Sequence, residues 1–205
     1  MPAPTAPATL KPVTARGEAT RRRLLIAAEQ EFGAKGYHGA SVSSITQRAD
    51  IAQGTFYLYF HSKEEMFVTL VRDIGHQLRA HASQAIAKAG SRLEAERLGL
   101  EAFMQFTTKH RGLYRIVQES QFVDPQIFRE YYEKLAEGYA AALAAAARKG
   151  ELSEGDADTR AWSMMGVGHF LGMKWCLWQK KQPPPGVIDE VMKLVTEGMG
   201  PKRKG

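Results

Sequence analysis

Between Ser41 and Lys63 the chain reads SVSSITQRADIAQGTFYLYFHSK, and its polar side chains are of the kinds that recognise nucleic acid. Gln53 is able to bond bidentately to adenine, and Thr55 offers a methyl for contact with thymine. Gly54, between them, has no side chain, so a partner can approach the backbone; crowding against a neighbouring helix is the competing explanation. Tyr57 and Tyr59 each pair an apolar ring with a hydroxyl, and half-buried packing is the ordinary reading of such tyrosines. Lys63 falls in the first turn of a helix, where free N–H groups and a positive end add to its charge at a phosphate. Ser41, Ser43 and Ser44 are short hydroxyl donors, although Ser41 serves equally well as a helix cap.

Short helices must position these groups. Ser41 is a suitable N-cap for a helix over Val42 to about Ala49, with Ile45 and Ala49 on its buried side. Asp50 supplies the turn, because aspartate tolerates left-handed backbone, and it is also able to cap the helix after it. That next helix is expected from about Ala52 to Tyr59, with Phe56 and Phe60 as core anchors. Ser62 followed by Glu65 has capping-box spacing and opens a fourth helix. Its apolar face continues through Met66, Phe67, Leu70, Val71, Ile74 and Leu78. A first helix, about Glu18 to Ala34, carries Leu24, Leu25, Ala28 and Phe32 at helical spacing. Gly36 ends it in left-handed backbone. Two short helices joined by a tight turn are the usual means of placing a helix in the DNA major groove.

Phe32, Gly36, Tyr37, Ile45, the run Gly54-Thr55-Phe56-Tyr57-Leu58-Tyr59-Phe60 and Ser62-Lys63-Glu64-Glu65 together resemble the DNA-binding domain of the tetracycline-repressor (TetR) family of bacterial transcription regulators. The likeness runs from about Glu18 to Leu70. It implies a homodimer of about nine helices per subunit, with a C-terminal half that binds a small effector. It also implies that Tyr57 and Tyr59 contact phosphate. The run Arg21-Arg22-Arg23 in the first half of the first helix reads in isolation as a solvated face. Beside a helix-turn-helix, phosphate contact is the better reading, with Arg21 as the candidate. The chain departs from the family at Thr46, Asp50 and Ala52, where Ala, Gly and Ser or Thr are usual, so the start of the recognition helix is the open point.

Composition agrees with a polyanionic partner. The 205 residues carry a net charge of +6 and a pI near 9.4. Eight basic residues from Lys11 to Lys63 (Lys11, Arg16, Arg21, Arg22, Arg23, Lys35, Arg48, Lys63) face only four acidic ones (Glu18, Glu29, Glu31, Asp50). That segment therefore holds most of the excess positive charge. Cys176 is the single cysteine, so there is neither an intrachain disulfide nor a thiolate zinc site, and a cytoplasmic setting is expected. Residues 1–16, rich in Pro, Ala and Thr, read as a disordered tail rather than a signal peptide. The most apolar stretch, Ala161 to Trp178, is interrupted by His169 and Lys174 and is not expected to span a membrane. No phosphate loop, metal spacing or nucleophile elbow occurs, which argues against an enzyme and against a bound cofactor.

The fold expected is all-α: a disordered tail over 1–16, a three-helix helix-turn-helix domain over 17–63, a helical ligand-binding and dimerisation domain over 64–200, and a basic tail over 201–205. In the larger domain, helices are expected at about Ser91 to Lys109, through Leu113 to Val117, from Pro125 to about Lys149 and from about Asp156 to Lys180. A last one follows Pro183-Pro184-Pro185. The apolar and aromatic residues Phe103, Phe106, Tyr114, Phe128, Tyr131, Tyr132, Trp162, Met165 and His169 are the candidate ligand contacts, with a packed core face as the alternative reading. Tyrosine hydroxyls need partners, which favours a pocket with some polar lining. Trp162, Met165, His169, Phe170, Met173 and Leu177 are expected on one side of their helix. Met164, Val167, Gly168, Leu171, Trp175 and Trp178 are expected on the other, where Gly166, Gly168 and Gly172 would let a partner helix approach. The stretch from Gly112 to Trp178 also resembles TetR regulators of fatty-acid or aromatic-acid breakdown, some of which answer to acyl-CoA thioesters. The partners expected are a double-stranded DNA operator, a bulky apolar effector of the acyl-CoA kind and a second copy of the chain. The alternative function is a helical lipid- or small-molecule-binding module without DNA binding.

Overall fold

A sequence dominated by strong helix formers folds, in the computed structural model, into helices throughout. The structure describes residues 14–199, and no strand occurs among them. The elements are α1 (Ala15–Gly39), α2 (Val42–Ala49), α3 (Gln53–Phe56), α4 (Lys63–Ile86), α5 (Arg92–Lys109), α6 (Gly112–Val123), α7 (Pro125–Arg148), α8 (Ala157–Gly172) with a π-helical continuation Met173–Trp178, and α9 (Pro185–Met199). The expectation of an all-α chain holds. Residues 1–13, with Lys11, and the basic tail with Lys202-Arg203-Lys204 lie outside the described residues. The helices form two compact units, one containing residues up to Ile74 together with Arg115–Phe128, the other Gly75–Tyr114 and the chain from Arg129 onward.

In the first unit, α1 begins at Ala15 rather than Glu18, because the Thr14 hydroxyl caps it by accepting from Gly17 N at 3.1 Å. It also outlasts the expected end at Ala34. The backbone breaks at Gly36 (φ 77°, ψ 170°), and one further turn reaches Gly39. Leu24, Ala28, Phe32, Ile45, Phe56, Met66, Phe67 and Val71 are fully buried. The ring of Phe32 meets Phe67 edge-on at 5.1 Å.

A buried carboxylate joins α1 to α2. Glu31, 2% exposed, accepts from Lys35 Nζ and from Arg48 Nε, each at 2.6 Å. Burial alone would raise its pKa, but the hydrogen bonds from Lys35, Arg48 and Ser44 outweigh it and hold the carboxyl down at about 2. On the C-terminal side of α2, Arg23 Nη2 donates to the carbonyls of Ala49 (2.5 Å) and Asp50 (3.1 Å).

In the second unit, Leu100, Met104, Met164, Cys176, Ile188, Val191, Met192 and Val195 form one core cluster. Leu143, Ala146, Leu152 and Ala161 form another. Ser91, Asp124 and Asp156 cap α5, α7 and α8 as their positions suggest, and Gly150 (φ 75°) closes α7. Within this unit the buried pair Arg92–Glu96 also accepts the Tyr139 hydroxyl onto Glu96.

Two expectations fail here. The helix from Asp156 is α-helical only to Gly172, after which the hydrogen bonds widen and the Gln179 N–H reaches back to the Lys174 carbonyl at 3.1 Å. The sides also divide differently. Ala161, Met164, Gly168, Gly172 and Cys176 are buried, whereas Trp162, Val167, Phe170 and Trp178 are exposed. Gly168 and Gly172 serve this subunit: a Cβ at Gly168 would sit 3.6 Å from the Phe103 ring, and one at Gly172 would collide with the Tyr114 hydroxyl. α9 starts at the last of the three prolines, Pro185.

The Glu31 carboxyl contributes stability above its unfolded pKa of 4.5, and that contribution is lost as pH falls toward 2. The lost stabilisation amounts to about 3 kcal/mol. Thermal melts between pH 5 and 2.5 should therefore show a steep decline in the wild-type protein. Glu31→Gln should flatten that decline and lower stability at pH 7 by a similar amount. Parallel profiles would contradict this role.

Candidate nucleic-acid interface and effector cluster

The reading head is built on local caps. Ser41 and Ser44 cap each other reciprocally: the Ser41 hydroxyl accepts from Ser44 N at 3.0 Å and the Ser44 hydroxyl from Ser41 N at 3.1 Å. Both hydroxyls are thus engaged at the start of α2, while Ser43 is exposed. Thr46, where the family usually has Ala, is buried with its hydroxyl donating to the Val42 and Ser43 carbonyls. Asp50 makes the turn in left-handed backbone (φ 51°, ψ 53°). Its carboxylate does not cap α3 but lies 3.8 Å from Arg23, and Ala52 opens α3 without a side-chain cap.

α3 is shorter than expected, a single turn over Gln53–Phe56. Beyond it the chain winds in tight turns, Leu58 N to Thr55 O and Tyr59 N to Phe56 O. Thr, Phe and Tyr are weak helix formers, and burial of both Phe56 and Phe60 fixes the path instead. Gln53, Gly54, Tyr57 and Leu58 are exposed and Thr55 and Tyr59 half-buried. A Cβ at Gly54 would meet nothing within 4 Å, so crowding does not account for this glycine. Arg21 lies over the Phe60 ring at 5.5 Å.

Lys63 is committed more deeply than its charge suggested. Its ammonium donates to the carbonyls of Tyr37 (2.8 Å) and Ala40 (2.9 Å) and sits 4.3 Å from the centre of the Tyr37 ring. Two of its three donors thus hold the loop before α2. Nearby, the Tyr37 N–H donates to Glu119 Oε2 at 2.5 Å, and Arg115 Nη1 donates to the Ala34 carbonyl at 2.8 Å. A Cβ on Gly36 would lie 2.6 Å from Glu119 and 2.7 Å from Arg115. Glu65 does not complete the expected box: its amide donates to Ser62 Oγ, but its carboxylate accepts from His61 N. Sequence reasoning missed Arg23, Glu31, Arg115 and Glu119. The only advance signal was the four-residue spacing of Glu31 to Lys35 and of Arg115 to Glu119.

In the second unit, six of the candidate ligand residues gather. Tyr114 stacks near His169 at 5.4 Å and donates its hydroxyl to the His169 carbonyl at 2.9 Å. Tyr132 lies 6.3 Å from His169, 6.4 Å from Trp162 and 5.1 Å from Tyr131. Phe103 meets Tyr114 edge-on at 6.4 Å. Burial raises the Tyr114 and Tyr131 phenols, brings Tyr132 up to about 12 and lowers His169. The cluster therefore offers neutral hydroxyls and a neutral imidazole. The remaining three candidates stand elsewhere or apart. Phe106 packs between His81 and His110, Phe128 belongs to the first unit, and Met165 is half-buried.

Residues 24–70 match the family described as "Bacterial regulatory proteins, tetR family". The HTH-type transcriptional regulator YdgC of Bacillus subtilis is 33% identical over 192 residues, covering 91% of this chain and 96% of that protein. The chain belongs to the TetR family. Its fold is similar to those of solved regulators. One is the fatty acid degradation regulator FadR of Bacillus halodurans (TM-score 0.77, 20% identity, 86% of this chain and 94% of that one). Another is FadR of Bacillus subtilis in complex with stearoyl-CoA (TM-score 0.77, 21% identity, 86% and 98%). This membership makes the chain a DNA-binding transcriptional regulator and not an enzyme. No helix among the described residues is long and apolar enough to cross a membrane.

Gly54 now separates folding from recognition within this TetR head. Gly54→Ala should leave stability unchanged or raise it by up to about 1 kcal/mol, since alanine is the better helix former. It should nonetheless weaken operator binding at least fivefold, as read by thermal melts and mobility shift on the same preparation. Unchanged DNA affinity would mean that no backbone approach occurs at this residue.

Proposed function

We infer that the chain is a cytoplasmic repressor that binds a near-palindromic operator as a homodimer and is released by a bulky apolar effector of the acyl-CoA class. The observation that carries the DNA half is that Gln53, Gly54, Tyr57 and Leu58, and Ser43 on α2, are all exposed. In this reading Gln53 and Thr55 read base edges. Ser43, Tyr57, Tyr59 and Arg21 face phosphate, with Lys63 adding its remaining donor and Ser41 and Ser44 holding the cap. The excess positive charge makes affinity fall with salt.

The dimer reading draws on the exposed apolar residues Trp162 and Phe170 on α8, Trp178 at the end of its π-helical continuation and Leu194 on α9, a set that a soluble chain is expected to cover. Two such subunits would present two α3 helices about one helical turn of DNA apart, or a small multiple. The effector reading draws on the Tyr114, Tyr131, Tyr132, Trp162, His169 and Phe103 cluster, whose rings suit an apolar chain and whose hydroxyls suit a carbonyl. The stearoyl-CoA complex of FadR supports the same class. α6 carries Tyr114 of this cluster and, one and five residues later, Arg115 and Glu119, which hold the Gly36 turn. An effector that moves Tyr114 would therefore disturb the clamp behind the reading head. By linkage, DNA must lower effector affinity by the same factor.

A mobility shift on DNA flanking the gene tests both halves. The full-length chain should retard one duplex, and stearoyl-CoA should release it where free CoA and stearate do not. No retarded duplex in that DNA or in a selected random pool would overturn the DNA reading. A shift indifferent to acyl-CoA chains of every length would overturn the effector class alone.

A further inference from the structure

The second unit holds an open cleft of about 450 Å³ between α4 and α5, lined by His76, Gln77, Ala80, His81, Gln84, Gln105, Phe106, Lys109 and His110. None of the aromatic cluster residues around Tyr114 contributes to it. Its chemistry is one-sided: three imidazoles, three carboxamides and an ammonium, with no carboxylate among the lining residues. His81, Phe106 and His110 make a continuous ring wall, His81 to Phe106 at 5.7 Å and Phe106 to His110 at 4.8 Å, both tilted. Within that wall His81 Nε2 is buried and has no hydrogen-bond partner. A buried ring nitrogen without a partner is costly, and a bound water or ion is among the groups that satisfy one.

We propose that this cleft is a binding site for an oxyanion, the phosphate or carboxylate of a small organic ligand, separate from the apolar effector cluster. The ammonium of Lys109 supplies the charge and the imidazole and carboxamide N–H groups supply directed donors, a set that suits an acceptor-only oxyanion. The Phe106 face gives the ligand's organic part an apolar wall. The site does not depend on which effector the Tyr114 cluster takes.

Long-range ¹H–¹⁵N NMR of the six histidine rings in the full-length protein tests the assignment, at constant ionic strength held with chloride. Inorganic phosphate, free CoA and octanoate are titrated separately. Signals of His81 and His110 should shift saturably while those of His38 and His61 stay still. Saturation by phosphate and CoA identifies a phosphate site, and saturation by octanoate alone identifies a carboxylate site. Lys109 is exposed, so Lys109→Met should leave the melting temperature unchanged and weaken binding about tenfold, the loss of one charge-assisted hydrogen bond. Lys109→Arg should largely retain binding. Uniform small drifts of all six rings, meaning an adventitious ion only, or no saturable shift with any probe, would overturn the proposal. So would full affinity in Lys109→Met.

Discussion

The reading head depends on the buried carboxylate of Glu31. A charge that is 2% exposed is tolerable only because Lys35 and Arg48 neutralise it with short hydrogen bonds. Those bonds fix α2 against α1. Arg23 adds a second hold at the same C-terminal end of α2 through the Ala49 and Asp50 carbonyls, so that end is tied twice to one helix. The position of α3 is set in turn, because only Asp50, Ile51 and Ala52 separate the two. A single-turn helix would have little stability alone; here burial of Phe56 and Phe60 supplies what its length does not.

A second set of ties surrounds the Gly36 turn. Its positive φ suits glycine, and the space a Cβ would need is taken by Glu119 and Arg115. Tyr37 gives its N–H to Glu119 and its carbonyl to Lys63. One residue is thereby gripped by α6 and α4 together. In the second unit, by contrast, the Arg92–Glu96–Tyr139 set closes on itself, whereas the α4–α5 cleft gathers donors without a carboxylate to meet them.

What was legible in the sequence is what is local. The Ser41 cap, the span of α2, the left-handed Asp50, the burial of Phe56 and Phe60 and the Asp124-Pro125 start of α7 all arise from side chains acting within a turn or two. The run GTFYLYF with SKEE carried the family resemblance. Less legible were features set by distant partners. Lys63 read as a phosphate contact, yet its ammonium is shared with two carbonyls some 23 and 26 residues earlier. Glu31 read as one surface acid among several. The sides of α8 divide differently from expectation because Trp162 and Phe170 invite a core placement, whereas Gly168 and Gly172 are the residues that α5 and α6 press against and Ala161 packs with Leu143, Ala146 and Leu152. Periodicity likewise gave no warning of the π segment beyond Gly172, which widens the repeat that face assignments assume. Six of nine ligand candidates, drawn from α5, α6, α7 and α8, lie together; Phe106 on α5 lies instead between His81 and His110.

The central claim is that the arc from Gln53 to Leu58 meets DNA and that two copies do so together. Hydroxyl-radical footprinting of the protein on a duplex selected from a random pool addresses it directly. The account predicts two protected patches related by a two-fold axis and centred about one helical turn apart, or a small multiple, with protection lost uniformly as salt rises. A single asymmetric patch, or protection unchanged by salt, would contradict it.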